Sequence, residues 1–283
     1  VKEITSELNA LINLLDDPDD EIFREVSHRL FEIGRPAIFE LEKAITNFPT
    51  PFVQNRIESL IHDIHIQWVR VSLENWITTD SNNLCRGAYI VSTIQYPDLE
   101  EDDLAVYFDE LKKDVNYEIN SNLTPLEKIR AFNHVFFEIH KYSGNYSNYY
   151  SPFNNYINHV FESRMGNPLS LSIIYIILAQ YLGLPIYGIN LPRNFVVAWV
   201  DDYNTENQSV AFYINPYNKG ISLTKKEIDL FLQQQKLTPQ ESYYEPCSNI
   251  DLIRRLLLNL LTAYEQSGNT QRYDELNVLL KLF

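Results

Sequence analysis

The sequence predicts an α+β protein, mostly helical, in which a buried helix packs on a small antiparallel sheet and helical regions flank both. Three observations carry this expectation. Amphipathic helical periodicity runs almost unbroken through residues 1–140. A run at 169–182 is apolar nearly all round, which suits a helix in the centre of a domain. Three strand-like runs follow at 186–190, 195–200 and 210–214, the last two β-branched and aromatic, before helical periodicity returns.

The elements follow in order. Asp17 and Pro18 offer an N-cap and a first-turn proline. Ile22, Phe23, Val26, Leu30 and Phe31 then recur on one face, and Gly34 closes the helix. Pro36 opens a second helix through Ile38, Leu41 and Ile45, and Pro51 a third through Val53, Ile57, Leu60 and Ile61. Residues 1–66 should therefore form antiparallel helices joined near 34–36 and 48–51. Deleting them should leave the rest folded but less soluble. Thr124, Pro125 and Glu127 form a capping box that starts a helix carrying Ile129, Phe132, Val135, Phe136 and Ile139.

Residues 141–158, rich in Tyr, Asn and Ser with Gly144 and Pro152, read as an irregular loop. Its aromatics, Tyr142, Tyr146, Tyr149, Tyr150, Phe153 and Tyr156, argue against disorder. They read first as packing the loop onto the body, and second as a contact ridge for a partner. Asn167 and Pro168 supply the N-cap and first turn of the apolar helix, which Gly183 ends. The runs at 195–200 and 210–214 should form a hairpin through the polar turn 201–208. Helices return at 250–265 and 270–282 about the turn of Ser267, Gly268 and Asn269.

Composition narrows the function classes. The 283 residues are 45% hydrophobic, enough for a sizeable core. With 38 acidic and 23 basic residues the formal charge is −15, which argues against a nucleic-acid partner. The acid concentrates at Asp16, Asp17, Asp19, Asp20 and Glu21 and again at 100–103, where helices should start and negative charge complements the dipole. Neither cluster has calcium-loop spacing. Two cysteines, Cys85 and Cys247, make neither a disulfide framework nor a zinc site, and no cofactor motif is read. The first residues are polar and lack a signal-peptide run, and no apolar run reaches the roughly 20 residues that cross a bilayer. The reading is a soluble, cytoplasmic protein without a membrane partner.

The most specific pattern lies between residues 132 and 220. Phe137-Glu138, Gly144-Asn145, Tyr149-Tyr150, Pro152 and Asn155-Tyr156 come first. Arg164-Met165-Gly166-Asn167-Pro168-Leu169-Ser170-Leu171 follows, then Leu182-Gly183-Leu184-Pro185, Gly188-Ile189-Asn190-Leu191-Pro192, Phe195 and Asn215-Pro216-Tyr217. In this order and spacing the chain resembles the SirB1-type branch of the transglutaminase-like superfamily, over about residues 70–283. The phrase at 14–22 and 31–34 resembles a HEAT repeat, and the last helix pair a tetratricopeptide hairpin. The implied organisation is a HEAT-like region at 1–66, a SirB1/transglutaminase-like domain with its helical lead-in at 67–245, and a tetratricopeptide-like hairpin at 246–283.

The resemblance implies a papain-like core. In such a core a Cys at the N-terminus of the central helix is the nucleophile, a His on the sheet moves the proton, and an Asp on the next strand orients the His. Carried onto this chain, the Cys position falls at Pro168, the His position at Asn194 and the Asp position at Asn215. The SirB1-type branch itself usually lacks the Cys. None of the six histidines lies beyond residue 159. A proline offers no nucleophile and a neutral amide no base near pH 7. The expectation is a catalytically inactive interaction or regulatory module for a protein or peptide partner. Its cleft is expected at Asn167, Ser170, Arg193, Asn194, Asn215, Tyr217, Tyr149 and Tyr150. The alternative is a hydrolase or acyltransferase with a relocated nucleophile, Ser170 with His159. A third possibility is a purely structural remnant within a complex.

Overall fold

The computed structural model describes residues 2–48, 50–201 and 209–283, with side chains from residue 7 onward. The chain divides into two compact units, Val1–Asn75 and Trp76–Phe283. No helix among the described residues is long and apolar enough to cross a membrane.

The first unit holds α1 (Lys2–Asn13), α2 (Asp20–Ile33), α3 (Arg35–Ile45) and most of α4 (Pro51–Thr79). Its core is built from the apolar stripes that periodicity marks: Leu8, Ile12, Val26, Leu30, Leu41 and Ile57 are buried. The start of α2 corrects one expectation, because the N-cap is Asp19 rather than Asp17. The Asp17 carboxylate accepts from Asp19 N at 2.9 Å, and Asp19 in turn accepts from Glu21 N at 2.8 Å. Two successive side-chain turns thus pass the cap beyond Pro18. Gly34 closes α2 at φ 73°, its N–H donating to Leu30 O, and also precedes the first residue of α3. Of the expected joint at 48–51, Pro49 lies outside the described residues.

The second unit begins with α5 (Leu84–Thr93), α6 (Glu101–Glu118) and α7 (Pro125–Asn133). The Thr124–Glu127 capping box opens α7 as expected, but after Asn133 the helix widens into a π-helical turn, His134–Ile139. Next come β1 (Ser143–Gly144), a 3-10 turn (Pro152–Asn155), α8 (Ile157–Ser163), β2 (Met165–Gly166) and α9 (Pro168–Tyr181). β3 (Ile186–Ile189), β4 (Val196–Asp201), β5 (Ser209–Asn215) and β6 (Ile221–Leu223) form one antiparallel sheet in sequential order. α10 (Lys225–Gln234), α11 (Asn249–Ser267) and α12 (Thr270–Leu280) complete the unit. Residues 202–208, most of the expected hairpin turn, lie outside the described residues.

The fold class is α+β, and α9 is its centre. Every residue from Pro168 to Ala179 is buried, and the helix packs on β3 and β4. Tyr175 sits among Phe132, at 4.2 Å between ring centroids, Phe136 and Phe137. Its hydroxyl donates to Asn133 Oδ1 at 2.8 Å, and Asn133 Nδ2 donates to Gly220 O at 2.8 Å. Gly220 is required there: φ is 68°, and the Asn133 amide fills the space a Cβ would need.

The segment 141–158 is more ordered than a plain loop. β1 pairs in parallel with β2, with Ser143 opposite Met165 and Gly144 opposite Gly166, which ties the segment to the residues just before α9. Its aromatics divide between both readings. Tyr142 and Tyr156 are buried, whereas Tyr146, Tyr149, Tyr150 and Phe153 are exposed.

Candidate functional site

Asn167 organises the start of α9. Its Oδ1 accepts from Leu169 N at 3.0 Å and Ser170 N at 2.9 Å, while its own N–H donates to Ser170 Oγ at 3.0 Å, closing a capping box. Pro168 has no N–H, and Leu171 N donates to Asn167 O. The donors of the first turn are therefore all used within the helix start itself. On its other side Asn167 Nδ2 donates to Asn155 Oδ1 at 2.6 Å.

A second asparagine chain holds the tyrosine loop. Asn154 Oδ1 accepts from Asn145 Nδ2 at 2.9 Å, and Asn154 Nδ2 donates to Asn148 O and Tyr149 O at 2.7 and 3.0 Å. Asn154 and Asn155 are neighbours in the same 3-10 turn. One turn thus fixes both the loop bearing Tyr149 and Tyr150 and the cap of α9. Buried amides bound on both sides rigidify what they join.

Between these elements lies a cavity of about 190 Å³. The tyrosine loop gives Tyr149, Tyr150 and Ser151, and the α9 start gives Asn167, Pro168 and Leu169. The turn before β4 gives Arg193, Asn194 and Phe195, and α11 gives Arg255, Asn259, Thr262 and Ala263. Asn155 completes the wall. Arg255 braces the turn before β4. Its Nη1 donates to Asn190 Oδ1 and to Leu191 O at 2.9 Å, its Nη2 to Asn194 O at 2.7 Å, and its guanidinium lies over the Phe195 ring. Burial lowers its pKa from the ordinary guanidinium value.

Five of the eight residues expected to line a cleft do border this cavity: Asn167, Arg193, Asn194, Tyr149 and Tyr150. Three do not. Ser170 is fully buried behind the cap, its hydroxyl held by the Asn167 backbone. Asn215 ends β5 and accepts from Asn218 N at 3.2 Å, capping a short 3-10 turn. Tyr217 packs at a tilt against Tyr146, 4.8 Å between ring centroids, beneath Gly144, where a Cβ would come within 2.5 Å of its ring. Its hydroxyl has no partner among the described residues, and burial pushes its pKa up to about 12.

The three positions carried over from the triad are not linked. Asn194 Oδ1 accepts from Phe195 N at 2.8 Å and Asn215 Oδ1 from Asn218 N, so these amides serve local turns rather than one network. Ser170 and His159 have separate partners as well, since the His159 ring packs on Phe153 at 5.4 Å. Neither cysteine borders the cavity. Burial raises Cys85 to about 11 and Cys247 to about 12, so both stay protonated near pH 7. No cluster of three or more metal-ligating side chains occurs among the described residues.

Sequence reasoning missed the α11 wall. A signal was present: Arg255, Asn259 and Thr262 recur at helical spacing on a helix whose other faces carry Leu252, Leu256 and Leu260. A polar stripe beside an apolar one marks a face turned to something other than core.

Central buried helix, antiparallel sheet and cavity at the helix start are those of a transglutaminase-like core, and the chain belongs to the transglutaminase-like superfamily, which it matches over residues 103–258. It is similar to a UPF0162 protein of Xylella fastidiosa (strain 9a5c), 33% identical over 207 residues, covering 68% of this chain and 67% of that one. A UPF0162 protein of Vibrio cholerae is 24% identical over 189 residues, 65% of this chain and 67% of that one. F-box only protein 21 of Mus musculus is 29% identical over 155 residues, 54% of this chain but 24% of that protein. No solved structure matches the chain. Asn259, Thr262 and Ala263 lie beyond the matched residues, so part of the cavity wall falls outside the family match.

Proposed function

We propose that this chain is a catalytically silent member of the superfamily, of the SirB1 type, whose cavity at the start of α9 binds a segment of another protein. One observation carries the reading: among the described residues no thiol, imidazole, carboxylate or amine borders the cavity, and its helix start offers a proline and a closed capping box. A thiol mechanism needs a thiolate at the helix start, a base within hydrogen-bond reach and free donors for the oxyanion. Pro168 supplies no nucleophile, Asn194 no base, and the N–H groups of the first turn are committed to Asn167. The relocated Ser170 with His159 gains no support from the geometry, because Ser170 is part of the cap.

Binding is supported by what does line the cavity. Tyr149 and Tyr150 border it, with Tyr146 and Phe153 exposed on the same loop. Tyrosine and arginine are the side chains that anchor protein interfaces. Helical hairpins of the HEAT and tetratricopeptide kinds fit this role too. α2 and α3 turn on Gly34, and α11 and α12 on Gly268 at φ 73°.

The test incubates the protein with amine-donor and glutamine-acceptor peptides, and with ester and amide substrates, with and without a thiol alkylator. No turnover is expected, and Cys85→Ser or Cys247→Ser should change nothing. Turnover that the alkylator abolishes would overturn the silent reading. Turnover that survives alkylation but is lost in Ser170→Ala would establish the hydrolase instead.

A further inference from the structure

The cavity is cationic on an acidic protein. Formal charge is −15 over the chain, yet among the described residues the cavity wall contains Arg193 and Arg255 and no acidic residue. Arg255 is half-buried on α11 and forms no ion pair among the described residues; its acceptors, Asn190 Oδ1, Leu191 O and Asn194 O, are all neutral. A guanidinium has five N–H donors. Two at Nη1 and one at Nη2 are taken, which leaves Nε–H and one Nη2–H, enough donors for one carboxylate. A partly desolvated charge without a counter-charge is unfavourable unless something supplies one.

Arg193 adds a second, independent observation. It sits exposed at the cavity edge with φ 61°, a left-handed conformation that residues with side chains rarely adopt. Its Nη1 donates to Gln235 Oε1 at 3.3 Å, again a neutral acceptor. The α9 start does not compete for an anion, since Asn167 Oδ1 already occupies its N–H groups. Asn194, Asn259 and Thr262 are neutral side chains able both to donate and to accept, as a peptide backbone requires.

We propose that the cavity takes a peptide carboxylate, seated on Arg255 with Arg193 as the outer cation, and that the peptide continues over Tyr149 and Tyr150. This rests on the peptide-binding reading above and names the group that reading leaves open. The carboxylate comes from a peptide C-terminus or from an Asp or Glu side chain. A phosphate, with more charge and more acceptor positions, fits two remaining guanidinium donors less well than a carboxylate does.

Three fluorescein-labelled pools of short random peptides separate the cases, each titrated with the full chain and followed by polarisation. The first pool ends in a free acid and lacks Asp and Glu. The second is the same pool amidated, and the third is amidated with one Glu fixed. The first or third pool is expected to bind roughly tenfold tighter than the second, the loss that follows from removing a charge-assisted hydrogen bond. Whichever pool binds tightly identifies the source of the carboxylate. Arg255→Gln should erase the difference and Arg255→Lys should restore part of it. Arg193→Gln should reduce it roughly threefold, as for an outer, solvent-exposed charge. Circular dichroism checks that each variant folds. If Arg255→Gln does not, Arg193→Gln and competition by acetate against acetamide decide. Equal binding of all three pools, indifferent to both arginines, would refute the carboxylate while leaving peptide binding intact. Displacement by inorganic phosphate where acetate has no effect would refute it in favour of phosphate. Failure of every pool to bind would remove the peptide reading itself.

Discussion

The two units bury different chemistry. Among the described residues of Val1–Asn75, His65 is the one polar residue buried as a whole, Ser27 Oγ is buried besides, and the core is otherwise aliphatic with Phe48 at its edge. Trp76–Phe283 buries Ser92, Thr93, Asn154, Asn155, Asn158, Asn167, Ser170 and Ser172, and six of these eight lie between residues 154 and 172. The first unit also contains no tyrosine and no cysteine, so all 19 tyrosines belong to the second. An apolar stripe tolerates substitution by another side chain of similar volume. A chain of buried amides does not, because each lost partner strands another polar group. The contrast separates a part of the molecule that is built to pack from a part that is built to hold a cavity in one shape.

Substitutions at matching positions sharpen this contrast. The largest effect is expected at the helix caps. Asn167→Ala removes a buried cap and leaves Asn155 Oδ1 without its 2.6 Å partner, and should lower stability by about 4 kcal/mol. Asp19→Ala removes an exposed cap in the first unit and should lower it by about 1 kcal/mol. Urea midpoints read both, and equal losses would break the comparison.

Next come two glycines of positive φ. Gly34 and Gly220 have φ of 73° and 68°, but a Cβ on Gly34 would meet nothing within 4 Å while one on Gly220 would run into Asn133. Gly34→Ala should cost about 2 kcal/mol for the backbone alone, because φ 73° with ψ −147° is a region that glycine alone adopts readily. Gly220→Ala should cost about 3 kcal/mol, since the Asn133 bonds to Tyr175 and Gly220 must give way.

Alkaline titration divides the units further. Burial raises Cys85 to about 11, Cys247 to about 12, and Tyr213 and Tyr217 to about 12, all in the second unit. The ordinary values are 9.0 for the thiols and 10.0 for the phenols, so the unfolded chain releases these protons first. Their contribution is complete below about pH 9 and is lost as pH rises towards 12. The second unit should unfold first. Tyrosine absorbance follows it, and Trp68, the tryptophan of the first unit, should keep its folded emission longer.

The smallest effect belongs to the first unit's surface. Arg29 donates to Glu7 and Glu32 at 2.8 Å, which holds the Glu32 carboxyl below its usual range. All three side chains are well exposed. Glu32→Gln should move the urea midpoint within error, and not at all in high salt.

Most of the fold was legible because local chemistry announces it. Apolar spacing marks α2 to α4, proline and capping boxes mark the starts of α7 and α9, and all-round apolarity marks α9 as central. The cap of α2 fell two residues later than expected because Asp17 and Asp19 are both competent and only their mutual bond decides. β6 and α10 were not anticipated; a three-residue strand leaves little periodicity to see. Of the cavity, the α9 start and the turn before β4 were legible through motif order. Arg255 was not, since its role depends on α11 returning some 60 residues later to brace Asn194. The carbonyl it reaches carries no sequence signal.

That return of α11 has a consequence for how the protein is made. On the ribosome α9 emerges well before residues 249–267, and α9 is the most apolar helix of the chain. Tyr156 waits for Tyr264, its hydroxyl partner 108 positions away, and Asn249 reaches back 168 positions to Ser81. A nascent chain halted before α11 would carry a bare apolar helix end and an unbraced turn, the kind of intermediate that chaperones hold. Covering the end of α9 thus waits on a helix made well after it.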